Sequence, residues 1–452
     1  MPRAFPERYV PRALPPRPRD ARSAAARADF RRSNFFLRGI STARPARGSA
    51  DAATRRQMST RCAPRRVLVI SYEFDTQSFS GNGVLAVGLV RALRENNCDV
   101  FVACATPDPA RAGVHERIIR ALVPAAGWYR LDARSAHDAF ADALEDASCG
   151  SAVRSFAPEA TIGVDFASAR AARALDARGR FLWTPFRCFS RGEDALRATH
   201  EALEREAVGM AFCVMALCSS DRTWIAERLG GGRVVARPPP LRADAEAVAR
   251  TRGGGRHGVG GRRYLACVVR PSEEKAPHRF VAVCEELERR GTFARLGVAP
   301  LLCVNASVRS AYASDLRARF EACAANARVV DSFVGPEELG DIFEETVLNV
   351  HPPSHDSFGM TVVEAGAFGA PSAIHFAGDV GARDFLGDEC CVCVDMEASA
   401  RELADVIEEL LVDRRRLGEV GERAMQRALE WNETAFGKAV YDILFGEDNS
   451  ES

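Results

Sequence analysis

From Thr346 to Phe376 the chain reads as strand, turn, short helix, strand, and this unit constrains the fold more than any other stretch. Thr346 to Val350 is an apolar run of strand length and reads as buried. Pro352-Pro353 makes a turn after it. Asp356, Ser357, Phe358 and Gly359 come next, then a helical segment from about Met360 to Phe368. Gly369 and Pro371 end that helix, glycine after the last turn and proline beyond it. The next strand, SAIHF, opens at once.

A loop of this kind suits an anionic ligand. A helix N-terminus carries unpaired N–H groups and roughly half a positive charge. Gly359 lets a ligand come close to the backbone. Asp356 sits in the loop and Glu364 lies eight residues on, inside the helix. Their carboxylates can accept paired hydrogen bonds from vicinal hydroxyls, which sugars and ribose supply. A plain strand–helix turn with a solvated Asp and Glu accounts for the same spacing.

Asp356-x7-Glu364 followed by EAGAFGAPS resembles the signature of retaining glycosyltransferases of the family-4 type (glycosyl transferases group 1), which have the two-domain GT-B fold. The resemblance implies that Glu364 holds the ribose of a nucleotide. It also implies that Asp356 and the backbone of Ser357, Phe358, Gly359 and Met360 hold the transferred sugar. Asp356 stands where that family usually has Glu, one methylene shorter with the charge kept.

Tyr264 to Val269 reads as a strand ending in Arg270-Pro-Ser-Glu-Glu-Lys275, with a helix from about His278 to Arg290. Two cations five residues apart across this turn can converge on one anion at the carboxyl edge of the sheet. Without further context, two surface cations pairing with Glu273 and Glu274 are the favoured account. By the resemblance, Arg270 and Lys275 bind the donor diphosphate.

Near the start of the globular part, Val67 to Ser71 reads as a parallel-type strand, and a loop from Glu73 ends in Ser80-Gly81-Asn82-Gly83. A helix follows from about Val84 to Asn96. Gly81 and Gly83 permit close backbone approach, as does a plain tight turn. The resemblance makes this the family's Gly-rich loop, on the donor phosphates or acceptor. Ala160–Val164 and Phe181–Thr184 read as strands ending near Asp165 and Arg187. Many family members carry a His near these ends; here there is none, which leaves the acceptor-side chemistry open. Ser219-Ser220-Asp221 caps a helix, and His375 reads as packed or on the surface.

The expected domains are a tail over 1–64, a Rossmann-like acceptor-side domain over 65–240, and a Gly/Arg-rich linker over 241–262. A Rossmann-like nucleotide-sugar-binding domain over 263–430 follows, then a last helix over 431–452 crossing back to the first domain, with Trp431 as anchor. The fold class is thus α/β, with two doubly wound parallel sheets facing a cleft. The tail is rich in Arg, Ala, Pro and Ser and has no Lys, a composition shared by organelle transit peptides and plain polar tails. The expected location is intracellular: plastid or mitochondrion if the tail is a transit peptide, otherwise cytoplasmic.

The formal net charge of zero argues against a nucleic-acid or anionic-membrane role built on bulk charge. The longest apolar run, Val208 to Cys218, is too short to span a bilayer. The 14 cysteines are scattered, several in apolar runs, and read as small buried hydrophobes in a reducing compartment. The resemblance implies a nucleotide-sugar donor, an unidentified acceptor (glycan, lipid or small molecule), and neither metal nor cofactor. A nucleotide-sugar epimerase, a phosphorylase, or a non-catalytic nucleotide-sugar-binding protein are the other readings.

Overall fold

The computed structural model describes residues 63–74, 81–125, 134–177, 179–192, 196–253, 261–304, 310–332, 334–377 and 379–446. Pro64–Ser452 form one compact unit. The tail over 1–62, Ser80, His257 with its glycine run, Asn305, Phe333 and Gly378 lie outside the described residues.

Two sheets organise the unit. The first contains β1 (Arg65–Ile70), β2 (Cys98–Thr106), β3 (Gly113–His115), β4 (Ile118–Leu122), β5 (Ala160–Val164), β6 (Arg180–Thr184), β7 (Cys213–Ala216) and β8 (Val234–Ala236). Its order is β3-β4-β2-β1-β5-β6-β7-β8, parallel except for the β3–β4 pair. The second contains β9 (Tyr264–Val268), β10 (Ala299–Cys303), β11 (Arg328–Val330), β12 (Thr346–Val350), β13 (Ser372–His375) and β14 (Val392–Val394). Its order, β11-β10-β9-β12-β13-β14, is the doubly wound Rossmann order, with the strand order reversing between β9 and β12. In the first sheet the reversal falls between β1 and β5. Ligands of such sheets bind at the carboxyl ends of the strands beside the reversal.

The strands read as unbroken apolar runs because both faces are covered. Val67 and Val69 enter one core with Leu85 and Leu89, while Leu68 and Ile70 enter another with Phe140 and Trp183. In the second sheet Leu265 and Cys267 face one core, and Tyr264, Ala266 and Val268 the other. Alternation of period two thus feeds two cores from each strand. The described cysteines are free thiols, and all but Cys323 and Cys393 are buried.

Most expected elements are present, with ends shifted by a residue or two. Three differences have physical reasons. The first helix spans Gly81–Glu95, so Gly81 and Gly83 lie in its first turn rather than in a loop. Second, the span expected as linker holds a helix, Ala243–Arg252. Its first turn is acidic (Asp244, Glu246), its last turn basic (Arg250, Arg252), and Gly253 closes it at φ 68°. Ala245 and Ala249 bury into the second domain's core. Third, the stretch from Ala105 to Phe181, where helical and strand-like segments alternate less clearly in the sequence, contains β3, β4 and the helices Arg134–Leu144, Ala147–Phe156 and Ala167–Ala174.

The last helix, Glu433–Phe445, lies against the helix Gly81–Glu95 and places Phe436, Val440, Ile443 and Leu444 in the first domain's core. Trp431 Nε1 donates to the Pro238 carbonyl at 3.1 Å, and Leu241 N–H donates to the Trp431 carbonyl at 3.2 Å. Glu433 is buried and takes two bonds from the Arg91 guanidinium, at 2.8 and 2.6 Å. Among the described residues no helix is long and apolar enough to cross a membrane.

Candidate functional site

The site forms where β9 and β12 end side by side. After β9 the chain turns tightly: Ser272 N–H donates to the Arg270 carbonyl and Lys275 N–H to the Ser272 carbonyl. Ala276 follows at φ 47°, a left-handed conformation that disfavours any side chain, and Pro277 then starts the next helix. This turn aims Lys275 back at the end of β12, where Nζ donates to Asp356 Oδ2 at 2.8 Å.

Asp356 is held from several sides. His351 Nε2 contacts the same Oδ2 at 3.1 Å. The Asp356 backbone is pinned to the loop after β13, its N–H donating to the Asp379 carbonyl and its carbonyl accepting from Gly381 N–H. Burial opposes the charge of Asp356, but Lys275 and His351 outweigh it and hold the carboxyl well below the usual carboxylate range. Oδ1 has no side-chain partner among the described residues.

Gly359 precedes the helix Met360–Ala367 at φ 80°, and a Cβ there would come within 3.2 Å of His351 Nε2. Glycine is therefore required both by conformation and by close approach. Ser357 and Phe358 are buried, and the Ser357 and Ser272 hydroxyls have no partner among the described residues. Met360 begins the helix.

Glu364 is placed elsewhere, deeper in the same helix. It is buried and faces Arg242, whose Nη1 lies 3.8 Å from Oε1. Burial raises its pKa, with Arg242 opposing. Arg242 is clamped by Asp244 at 3.0 and 2.7 Å. Glu364 thus looks toward the crossing between domains, while Asp356 looks into the loop.

Arg270 pairs with Glu274, Nη2 to Oε1 at 2.8 Å. The surface-pair reading therefore fits Arg270, while Lys275 turns away from both glutamates to Asp356. The other Glu274 oxygen, Oε2, accepts from Arg187 Nη1 of the first domain at 2.6 Å.

On the first-domain side, Asp165 follows β5 at φ 59° and is buried. It accepts from Asn82 Nδ2 and, at 2.8 Å, from Phe186 N–H. Burial pushes its pKa up to about 7. A Cβ at Gly81 would lie 2.2 Å from the Phe186 ring. Gly81 therefore makes room for Phe186 in this structure and stands in a helix's first turn, not in the open glycine loop expected for it. Gly83 is likewise buried in the helix.

Between the domains lies a cavity of about 210 Å³ lined by Arg187, Cys188, Arg191, Gly192, His355 and Asp379. Arg191 reaches Asp221 at 2.7 Å and Asp379 at 3.5 Å, and His355 Nε2 is 3.8 Å from Asp221. Ser219 N–H donates to Asp384 at 2.6 Å. Asp221 is thus more than a capping residue: it sits under the cavity. His375 is packed, its Nδ1 accepting from Met396 N–H.

Sequence reading missed His351, His355, Arg191 and Arg242. His351, directly after β12, carried a usable signal as a polar residue at a strand's carboxyl end. The others depend on contacts between distant segments and carried none.

No protein-family model matches the chain, and neither does any curated protein. Solved structures do. A sucrose-phosphate synthase from Thermosynechococcus elongatus superposes with TM-score 0.65 at 16% identity, covering 84% of this chain and 98% of its own. An E. coli trehalose-6-phosphate structure bound with UDP-2-fluoro glucose gives TM-score 0.63 at 15% identity, covering 84% and 98%. A UDP-forming α,α-trehalose-phosphate synthase from Burkholderia xenovorans, in complex with glucose-6-phosphate, gives 0.61 at 15% identity, covering 84% and 100%. The likeness is one of fold: this chain has two Rossmann-like domains facing a cleft, the GT-B architecture.

Proposed function

We propose that this chain transfers a sugar from a nucleoside-diphosphate sugar to an acceptor bearing an anionic group, with retention at the anomeric carbon. One observation carries the reading: Lys275 and Asp356 meet at the reversal point of the second sheet, beside Arg270 and the N-terminus of the helix Met360–Ala367. Lys275 and Arg270 would neutralise charge building on the departing diphosphate, the main electrostatic demand of such a transfer. Oδ1 of Asp356 would accept from a sugar hydroxyl, with the backbone of Ser357 to Met360 around it. Glu364 would take the ribose. The cations are supplied by side chains, so the reading calls for no metal.

The anionic acceptor is inferred from the cavity, whose Arg191 and His355 suit a phosphate or carboxylate. Two structures of like fold hold UDP-2-fluoro glucose and glucose-6-phosphate, ligands of the two expected kinds.

A second reading, donor binding without turnover, is favoured by one feature. Near the strand ends where a family His would stand, the polar residues are Asp165 and Arg187. Asp165 is engaged by Asn82 and Phe186 N–H.

The deciding experiment is a panel of UDP-, GDP- and ADP-sugars against wild type and Lys275→Ala, scored by thermal shift and by nucleotide release with and without sugar phosphates. Stabilisation by one donor, lost in the variant, together with acceptor-dependent release supports transfer. Stabilisation without release supports the second reading, and no stabilisation by any donor overturns both.

A further inference from the structure

Arg187 and Arg270 come from opposite domains and meet on the two oxygens of one carboxylate. Arg270 Nη2 donates to Glu274 Oε1 at 2.8 Å, and Arg187 Nη1 to Glu274 Oε2 at 2.6 Å. Two guanidinium groups on two oxygens of one anion is also the way arginines hold a phosphoryl group. We infer that Glu274 occupies the seat of a donor phosphate, and that Arg187 joins Arg270 on that phosphate once Glu274 is displaced. The inference rests on the donor-binding reading above and adds a contact from the first domain to it.

Arg187 is built to stay in place. Phe186, just before it, is tied by its N–H to the buried Asp165. The Arg187 guanidinium lies 5.1 Å from the centre of the Phe189 ring. The Arg187 side chain also lines the cavity between the domains.

Glu274 is built to leave. It sits in the short turn Glu273–Lys275, which ends at Ala276 in a left-handed conformation. The Arg187 and Glu274 side chains are 34% and 37% exposed, so water and salt weaken their attraction. A diphosphate carries more charge than one carboxylate and competes well for the same two cations. Lys275, next in the chain, stays with Asp356 and does not depend on Glu274. The Ser272 hydroxyl at the start of the same turn has no partner among the described residues and is a further donor for an incoming oxygen.

In this arrangement Glu274 also ties the domains together before donor arrives. The donor phosphate takes over that tie, so closure of the cleft is carried by ligand rather than by protein.

The test is titration calorimetry with UDP and with inorganic pyrophosphate on the full chain. Wild type is compared with Glu274→Gln, Arg187→Ala, the double variant and Lys275→Ala. Glu274→Gln should bind both ligands about fivefold tighter, the effect of removing a partly exposed carboxylate charge that competes for both arginines. Arg187→Ala should bind both more weakly, and in the double variant the gain from Glu274→Gln should shrink to the part that comes from freeing Arg270. Glu274→Asp keeps the charge but shortens the reach, and its affinity should lie between wild type and Glu274→Gln; it serves if Gln impairs folding. If Lys275→Ala loses binding while Glu274→Gln equals wild type, the inference falls and the donor site stands. If neither wild type nor Glu274→Gln binds either ligand, the donor site and the inference fall together.

Discussion

Lys275 donates to Asp356 at 2.8 Å across the ends of β9 and β12, joining two loops that are 81 residues apart. The pair is mostly buried, at 21% and 12% side-chain exposure. It organises the loop that would receive a donor.

Lys275→Met leaves Asp356 with His351 alone. Breaking a buried pair from one side costs about 3 kcal/mol, and urea unfolding at neutral pH should show a loss of that size. The folded Asp356 pKa lies below its unfolded value. Its stabilisation is therefore full above the ordinary Asp pKa of about 4 and is lost as pH falls below that toward the folded value. Wild type and Lys275→Met should converge in stability in strong acid. A constant difference down to pH 2 would contradict the pairing.

Asp165 has the opposite sign. Its folded pKa is raised to about 7 by burial, so between about pH 4 and 7 the folded state holds a proton that the unfolded state has lost. Stability should fall as pH rises through that window, by about 1.4 kcal/mol per pH unit for this group. Glu204, buried and also raised to about 7, adds to the fall. Asp165→Asn should flatten the profile by about one proton. Denaturant melts at pH 5 and pH 8 read this directly.

Gly81→Ala puts a methyl group 2.2 Å from the Phe186 ring. Overpacking of this kind costs about 1–3 kcal/mol. Adding Phe186→Leu should restore part of the loss. Melting temperatures of the two variants decide whether Gly81 is there for packing; an unchanged single variant would say it is not.

Glu364 is buried with Arg242 on the hinge side, away from the Lys275 turn. If it holds ribose, Glu364→Gln should weaken UDP by about tenfold and leave pyrophosphate unchanged. Equal weakening of both ligands would instead point to a general disturbance of the helix Met360–Ala367.

Removing the last helix, Glu433–Phe445, should leave the first domain with an uncovered apolar face where Phe436, Val440, Ile443 and Leu444 now pack. A chain ending at Trp431 should fail to give a cooperative melt. A folded truncated chain would show that this helix is dispensable.

The strands, the helix after Gly359 and the Arg270–Lys275 turn were legible because their signals are local. Apolar runs, alternation, glycine and proline stops act over a few residues, so β5 and β12 were read at their actual ends. The helix Ala243–Arg252 escaped notice because the glycine run after it dominated the composition of the whole span. Gly81 was misplaced because a glycine in a helix's first turn and one in a loop look alike in sequence; only Phe186, 105 residues on, distinguishes them.

By itself the sequence determined two parallel α/β sheets and the residues standing at the carboxyl ends of β9 and β12, since periodicity and punctuation decide which residues end a strand. Only the tertiary structure decided which of those residues meet. Lys275 chose Asp356 over the neighbouring glutamates, Glu364 turned to Arg242, and Glu274 reached Arg187 across the cleft. A charged side chain takes its partner from whatever the packing brings within about 4 Å, and that depends on how two sheets and two domains dock, not on spacing along the chain.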